Sequence, residues 1–263
     1  TGNIRFTPTD DAQDDNKGNV YYDDSQSQLK QYDGSNWLKV STSINYDRPG
    51  DGQYTADAYT KLLIHSNTSN GIDTLGDSSP GGHTISAQGD VHHKTAQSKI
   101  GATSMYFDGT GDYLTIPAHN DWDFESGNFT IDMWVYPGTI DGDIITQWVS
   151  GYKAWRLYLN STNITWECYN SSHSSQLFNF NGTHGMSVNN WYHIALVRNN
   201  DNWSIYINGI SVASNNQSGA CYNSSDNFSI ASRNNGQDLY HGYIDECRIS
   251  KGIARWTSNF TVY

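Results

Sequence analysis

Residues 129–136 read Phe-Thr-Ile-Asp-Met-Trp-Val-Tyr, which puts Phe129, Ile131, Met133 and Val135 on one face at a spacing of two. Thr130, Asp132, Trp134 and Tyr136 fall on the other. A spacing of two is the period of a β-strand, so the first face is expected to be core and the second wet but aromatic. With the run before it, residues 104–137 form two β-runs around an acidic, glycine-bearing loop, the middle of a large antiparallel sandwich. An aromatic face turned to water suggests binding.

The rest of the chain supports that class. From residue 61 onward strand-like runs and turn signals alternate to the C-terminus, and no helical period of useful length intervenes. The run 191–198 (WYHIALVR) is apolar on both faces, as expected of a central strand packed on each side. Asn208-Gly209 between 203–207 and 210–213 predicts a two-residue type I′ hairpin, because both turn positions need positive φ. Residues 1–43 read as a small separate β unit with runs at 4–6, 20–22, 28–32 and 37–40. Residues 44–59 read as a polar linker, and 60–263 as the main domain. Three or four short strands cannot enclose a core alone, so the first unit is expected to oligomerise.

Composition narrows the function. A formal charge of −12 with no basic cluster argues against a nucleic-acid partner. No apolar run is long enough for a membrane span, and the start TGNIRF has neither a basic n-region nor an apolar h-region, so no address is expected in the chain as given, whose start looks cut from something longer. Cys168, Cys221 and Cys247 cannot all pair with one another and lack metal spacing, so free buried thiols are expected, with one disulfide as the alternative. The nine histidines show no metal spacing, and His92-His93 would point to opposite faces of a strand at the surface. Asn-x-Ser/Thr sequons such as Asn128, Asn163 and Asn181 are common in a chain this rich in Asn and Ser.

Two resemblances follow from particular residues. Gly18-Asn19-Val20-Tyr21-Tyr22 and Leu29-Lys30-Gln31-Tyr32-Asp33-Gly34-Ser35-Asn36-Trp37 resemble a short repeat of phage tail fibres and related virion proteins. Five blocks in order, at 106–117, 129–137, 191–198, 205–209 and 242–256, resemble the laminin-G-like, concanavalin A-like jelly-roll family, in particular its branch in phage structural proteins. The implied fold is an all-β antiparallel sandwich. Members of that family bind glycans, proteins or calcium, so fold alone does not give function.

Glycosidases resembling this fold carry Glu-x-Asp-x-x-Glu on one strand, with carboxylates about 5 Å apart, and that motif is missing. Asp121, Asp123 and Glu125 stand at a spacing of two in an acidic loop, which leaves a glycosidase with an unfamiliar acid pair as an alternative. If the face of Tyr243, Asp245, Cys247 and Ile249 is core, Asp245 is an inward carboxylate that needs a partner. Calcium held with Asn67 and Asp77 is one candidate, and backbone N–H groups are the other. Trp122, Trp148, Tyr152, Trp155, Trp166, Tyr169 and Tyr222 are candidate sugar platforms, with loops 170–176 and 215–226 as hydrogen-bonding rims. The expectation is a non-enzymatic, homotrimeric virion receptor-binding protein for a host surface polysaccharide or lipopolysaccharide. The alternative is a capsid or tail decoration that touches only other virion subunits.

Overall fold

A computed structural model describes residues 53–149, 152–170, 175–233 and 236–262, together with three strands between 20 and 39. The chain divides into two compact units, Thr1–Tyr46 and Asp47–Tyr263. In the first, β1 (Val20–Asp23), β2 (Gln28–Tyr32) and β3 (Trp37–Lys39) make an antiparallel sheet in that order, with Val20 opposite Gln31 and Tyr32 opposite Trp37. The strand expected at 4–6 lies outside the described residues.

The second unit is built from β4 (Thr60–Ile64), β5 (Ser86–Gln88), β6 (His92–Lys94), β7 (Ser104–Asp108), β8 (Tyr113–Ile116), β9 (Phe129–Pro137), β10 (Gly142–Val149) and β11 (Tyr152–Leu159). It continues with β12 (Asn163–Tyr169), β13 (Gln176–Thr183), β14 (Tyr192–Asn199), β15 (Asn202–Ile207), β16 (Ile210–Asn216), β17 (Phe228–Ile230) and β18 (His241–Lys251). Seven strands form one antiparallel sheet in the order β13-β12-β11-β10-β17-β8-β5. The other eight form a sheet in the order β16-β15-β14-β9-β18-β7-β6, with β4 pairing the second half of β18. Both contribute to a single core of Phe129, Ile131, Met133, Val135, Trp155, Trp166, Ile194, Leu196, Trp203, Ile244 and Ile249, so this is a jelly-roll sandwich. Among the described residues the one helical element is the 3-10 turn Asn120–Trp122.

The hairpin forms as its sequence requires. Asn208 and Gly209 adopt φ of 49° and 75°, and Ile207 pairs with Ile210 across the turn. The turn also receives the C-terminal segment, because Phe260 N donates to Gly209 O at 2.9 Å.

The outer face of the eight-stranded sheet departs from expectation. Thr130, Asp132 and Trp134 are buried rather than wet. On that face Ala195, Val197 and Tyr206 pack against Ala254, Trp256 and Phe260, so the C-terminal segment is a lid over β14 and β15. From residue 53 the stretch read as a linker packs there too. Tyr54 is buried with Leu63, Ile100 and Trp134, and Asp57 receives Arg255 Nη2 at 3.0 Å. The apolar period locates the core face, but a segment distant in sequence decides whether the opposite face meets water.

Beneath this cover Asp132 takes two bonds from Arg248, Nε to Oδ1 and Nη2 to Oδ2, each at 3.0 Å. Burial would raise the Asp132 carboxyl, yet the Arg248 charge and bonds, with His193 beside it, hold it at about 2. Removing one partner strands a buried charge, so Asp132→Ala should cost about 3–5 kcal/mol. Urea unfolding should show a lower midpoint at an unchanged slope; a midpoint within error of wild type would refute the pair's role.

Candidate functional site

The outer face of the seven-stranded sheet is where the fold gathers unusual chemistry. Core-facing Trp155, Leu157 and Leu159 on β11, and Ile164, Trp166 and Cys168 on β12, leave Arg156, Tyr158, Thr165, Glu167 and Tyr169 outward by the strand period. Cross-strand pairing sets Thr146 beside Arg156 beside Glu167, and Asp143 beside Tyr158 beside Thr165. Trp148 pairs with Lys153 after a bulge.

Arg156 organises this face. Its Nε and Nη2 both reach Glu167 Oε2 at 2.8 Å, and Gln176 Nε2 bonds the other carboxylate oxygen at 2.6 Å. The guanidinium carbon lies 4.5 Å from the Trp148 ring centroid and 4.2 Å from that of Tyr158, both in cation–π range. Trp148 meets Tyr169 edge to face at 5.3 Å, and Lys153 Nζ stands 5.4 Å from the first ring and 5.3 Å from the second. Lys153 Nζ also bonds the Tyr169 hydroxyl at 3.4 Å. Gln176, Asn179 and Asn181 are exposed along the neighbouring strand. The result is a half-buried aromatic and cationic platform with an amide rim, able to stack on a ring and to bond hydroxyls.

Asp143 sits in the same network but is 1% exposed, and its Oδ1 has no hydrogen-bond partner. The nearest cation, Arg156 Nη1, is 3.7 Å away. Burial pushes this carboxyl up to about 7, against the pull of Arg156 and Arg233.

The sequence candidates divide sharply. Trp122, Trp155 and Trp166 are corrected to core residues, because each is fully buried. Trp122 packs on Phe228 at 4.7 Å, and Trp155 stacks on Trp166 at 5.7 Å. A ring with no exposed face offers none to a sugar. Trp148, at 8% exposure, and the half-buried Tyr169 share the platform. Tyr222 donates its backbone N–H to Tyr169 O at 2.8 Å. Tyr152 opens β11, with its side chain outside the described residues. Sequence reading missed Asp143, Lys153, Arg156, Tyr158 and Glu167; the signal was the polar alternate of the β11 and β12 period.

The calcium candidates are occupied separately. Asp77 accepts Leu63 N and Ser79 N at Oδ1, and Ser79 Oγ and His83 N at Oδ2. Asn67 Oδ1 accepts Ala102 N at 3.0 Å. Asp245 accepts Lys99 N, Ile100 N and Glu246 N. Glu246 has φ of 49° at a β-bulge, which shifts the phase of β18. Asp245 stays with Tyr243 on the outer face, while the bulge turns Cys247 and Ile249 to the core side with Ile244. Oxygens turned to N–H donors act as loop clamps, and a cation would have to displace those donors.

The remaining acids changed place, whereas the thiols are as expected. Asp121 lies in the 3-10 turn, so Asp121, Asp123 and Glu125 do not share a strand face. Cys168, Cys221 and Cys247 are free and buried, and burial pushes the Cys168 and Cys247 thiols up. His93 is buried, bonded to Ser66 Oγ at 2.6 Å.

A second aromatic surface crosses the eight-stranded sheet. His92, Tyr106, Tyr243 and Tyr136 stand opposite one another on β6, β7, β18 and β9, and Trp191 continues the row. Successive ring centroids are 5.8, 4.8, 5.7 and 5.4 Å apart, and all five side chains are half-buried.

The family profile described as the concanavalin A-like lectin/glucanases superfamily matches residues 108–255. No curated protein matches the chain. Among solved structures, the binding domain of Paraclostridial mosquitocidal protein 1 is similar at TM-score 0.57 and 14% identity, over 74% of this chain and 49% of that one. The botulinum neurotoxin type G receptor-binding domain is similar at TM-score 0.54 and 18% identity, over 74% and 49%. Domain 4 of AbnA, a GH43 extracellular arabinanase from Geobacillus stearothermophilus, in complex with arabinotriose, is similar at TM-score 0.55 and 18% identity, over 74% and 95%. The matched part spans about half the length of the first two, 49% in each. At these identities the likeness is one of fold.

The Asp143 carboxyl has a pH signature. Its folded value of about 7 lies above the unfolded value near 3.8, so its contribution to stability is complete below 3.8 and is lost as pH rises through 7. Asp143→Asn removes that titration. Thermal melts between pH 5 and 8 should show a smaller loss of stability with pH in the variant; parallel wild-type and variant curves would contradict the assignment.

Proposed function

The chain belongs to the concanavalin A-like lectin/glucanase superfamily, and from that premise we propose that its jelly roll is a non-catalytic glycan-binding module. The observation that carries this reading is the Arg156-centred platform, where Tyr158 and Tyr169, backed by buried Trp148, present aromatic surface beside exposed amides. Aromatic edges and faces supply contact area at low entropy cost, while Gln176, Asn179 and Asn181 supply donors and acceptors for hydroxyls. Support also comes from the arabinanase domain, whose structure holds arabinotriose.

The finer reading is a phage fibre or spike protein, exposed on the virion, that binds a host surface polysaccharide or lipopolysaccharide. It rests on the resemblance of residues 18–37 to a tail-fibre repeat. In this reading the small β unit assembles a homotrimer, and three weak sites act together, so a modest pocket suffices. Binding without turnover is supported by the state of the platform's carboxylates. Both Glu167 oxygens are bonded, and Asp143 is too enclosed to reach a substrate.

The aromatic row of Tyr106, Tyr136, Tyr243 and Trp191 favours a second reading, contact with other virion subunits, since Tyr and Trp are enriched in protein interfaces. Immobilised lipopolysaccharide and capsular polysaccharide from a panel of bacteria separate the two readings. Retention of the full chain on one glycan, reduced roughly tenfold or more by Tyr158→Ala or Tyr169→Ala and unaffected by Tyr106→Ala, is expected. Absence of retention across the panel, or release of reducing sugar that Asp123→Asn or Glu125→Gln abolishes, would overturn it. Light scattering should give a trimer, and a monomer would remove the multivalent arm.

A further inference from the structure

The loop between β4 and β5 meets the short 3-10 turn after β8 at three side chains that the glycan-binding reading leaves unused. His83 Nε2 lies 2.9 Å from Asp121 Oδ2, and His119 Nδ1 lies 3.1 Å from the same oxygen. The donor atoms of all three are within 4.8 Å of one another. We propose that His83, His119 and Asp121 form a transition-metal site of the Zn2+ class that clips the 77–85 loop to the 117–122 loop.

The hydrogen bonds at His119 point to a cation. Asp121 N donates to His119 Nδ1 at 3.1 Å, so that nitrogen carries a lone pair rather than a proton. The same nitrogen stands 3.1 Å from Asp121 Oδ2, an acceptor beside an acceptor. A cation shared by nitrogen and oxygen turns this repulsion into attraction, with the Asp121 N–H released to water. Tetrahedral donors about 2.0–2.1 Å from zinc stand about 3.3 Å apart, so each histidine nitrogen needs to move only a few tenths of an ångström from the shared Asp121 oxygen. Two imidazoles and one carboxylate select Zn2+, Co2+, Ni2+ or Cu2+ over Ca2+ and Mg2+, which prefer oxygen alone.

The surroundings are built to hold these side chains. The His83 backbone N–H is fixed on Asp77 Oδ2 at 2.8 Å, and its ring lies 4.6 Å from that of buried Trp122. Trp122 Nε1 in turn donates to Pro117 O at 2.9 Å. Gly81 leaves the space next to the nitrogen clear, since a Cβ there would fall 2.6 Å from His83 Nε2. Lys251 Nζ pins the 3-10 turn through Asn120 O at 2.6 Å. The His119 side chain is 52% exposed, so the outer side of the cluster is open to a water or external ligand as the fourth donor. The histidines stand 36 residues apart in sequence (119 minus 83), so the fold and not any local motif creates the cluster.

Full-length, tag-free chain stripped with EDTA is titrated with ZnCl2 by calorimetry, and CoCl2 is followed by its d–d absorption. Wild type should take up one Zn2+ per chain, rise in melting temperature with zinc and not with CaCl2, and give a tetrahedral cobalt spectrum. His119→Ala and Asp121→Asn should each weaken zinc binding roughly tenfold or more. Because His119 is exposed, the His119→Ala protein in EDTA should melt with wild type, which separates lost binding from lost fold. Equal zinc uptake by wild type and both variants, or no uptake at about 0.1 mM zinc, would overturn the site and leave a proton between His119 and Asp121 instead.

Discussion

The sandwich depends on covering both faces of the eight-stranded sheet, and the buried Asp132–Arg248 pair is the polar centre of the outer cover. Arg248 lies on β18, the strand that pairs with β9, β7 and β4, and Asp132 lies on β9. The guanidinium is bonded to Asp132 on one side and lies 4.1 Å from the Tyr54 ring and 6.0 Å from that of Trp256 on the other. One charge pair thus joins two central strands to both covering segments. Ion pairs of this kind contribute little net stability when intact and cost much when broken, so their effect is to specify which segments cover the sheet.

Much of the fold was legible because β periodicity is local. The core face of β9, the two-sided burial of β14 and the Asn208-Gly209 turn all follow from neighbouring residues. What was not legible was set by distant partners or by a change of phase. A β-bulge at Glu246 parts Asp245 from Cys247 and Ile249, whose spacing puts all three on one face. The C-terminal segment buries Asp132, which local alternation marks as wet. Trp122, Trp155 and Trp166 look like binding aromatics in sequence, yet a sandwich this wide needs large rings in its centre.

The same logic explains the candidate site. Single-residue chemistry pointed to tryptophans, whereas the platform is defined by Arg156, whose contacts span three strands. A cation between two aromatic rings and an acid is visible only once the cross-strand register is known. Trp148 and Tyr169 were found by residue type, and Tyr158 and Lys153 by position on the sheet. Loop residues His83, His119 and Asp121 belong to the same category, joined by loops rather than by a motif.

The outer face of the seven-stranded sheet, and not the aromatic row across the other sheet, is the surface proposed to receive the glycan. NMR shift mapping of 15N-labelled protein, titrated with the polysaccharide fragment retained in the binding panel, tests this most directly. Perturbations should concentrate on the Trp148 indole N–H and on the backbone of Lys153, Arg156, Tyr158 and Tyr169. Shifts confined to Tyr106, Tyr136, Tyr243 and Trp191, with the platform silent, would contradict it.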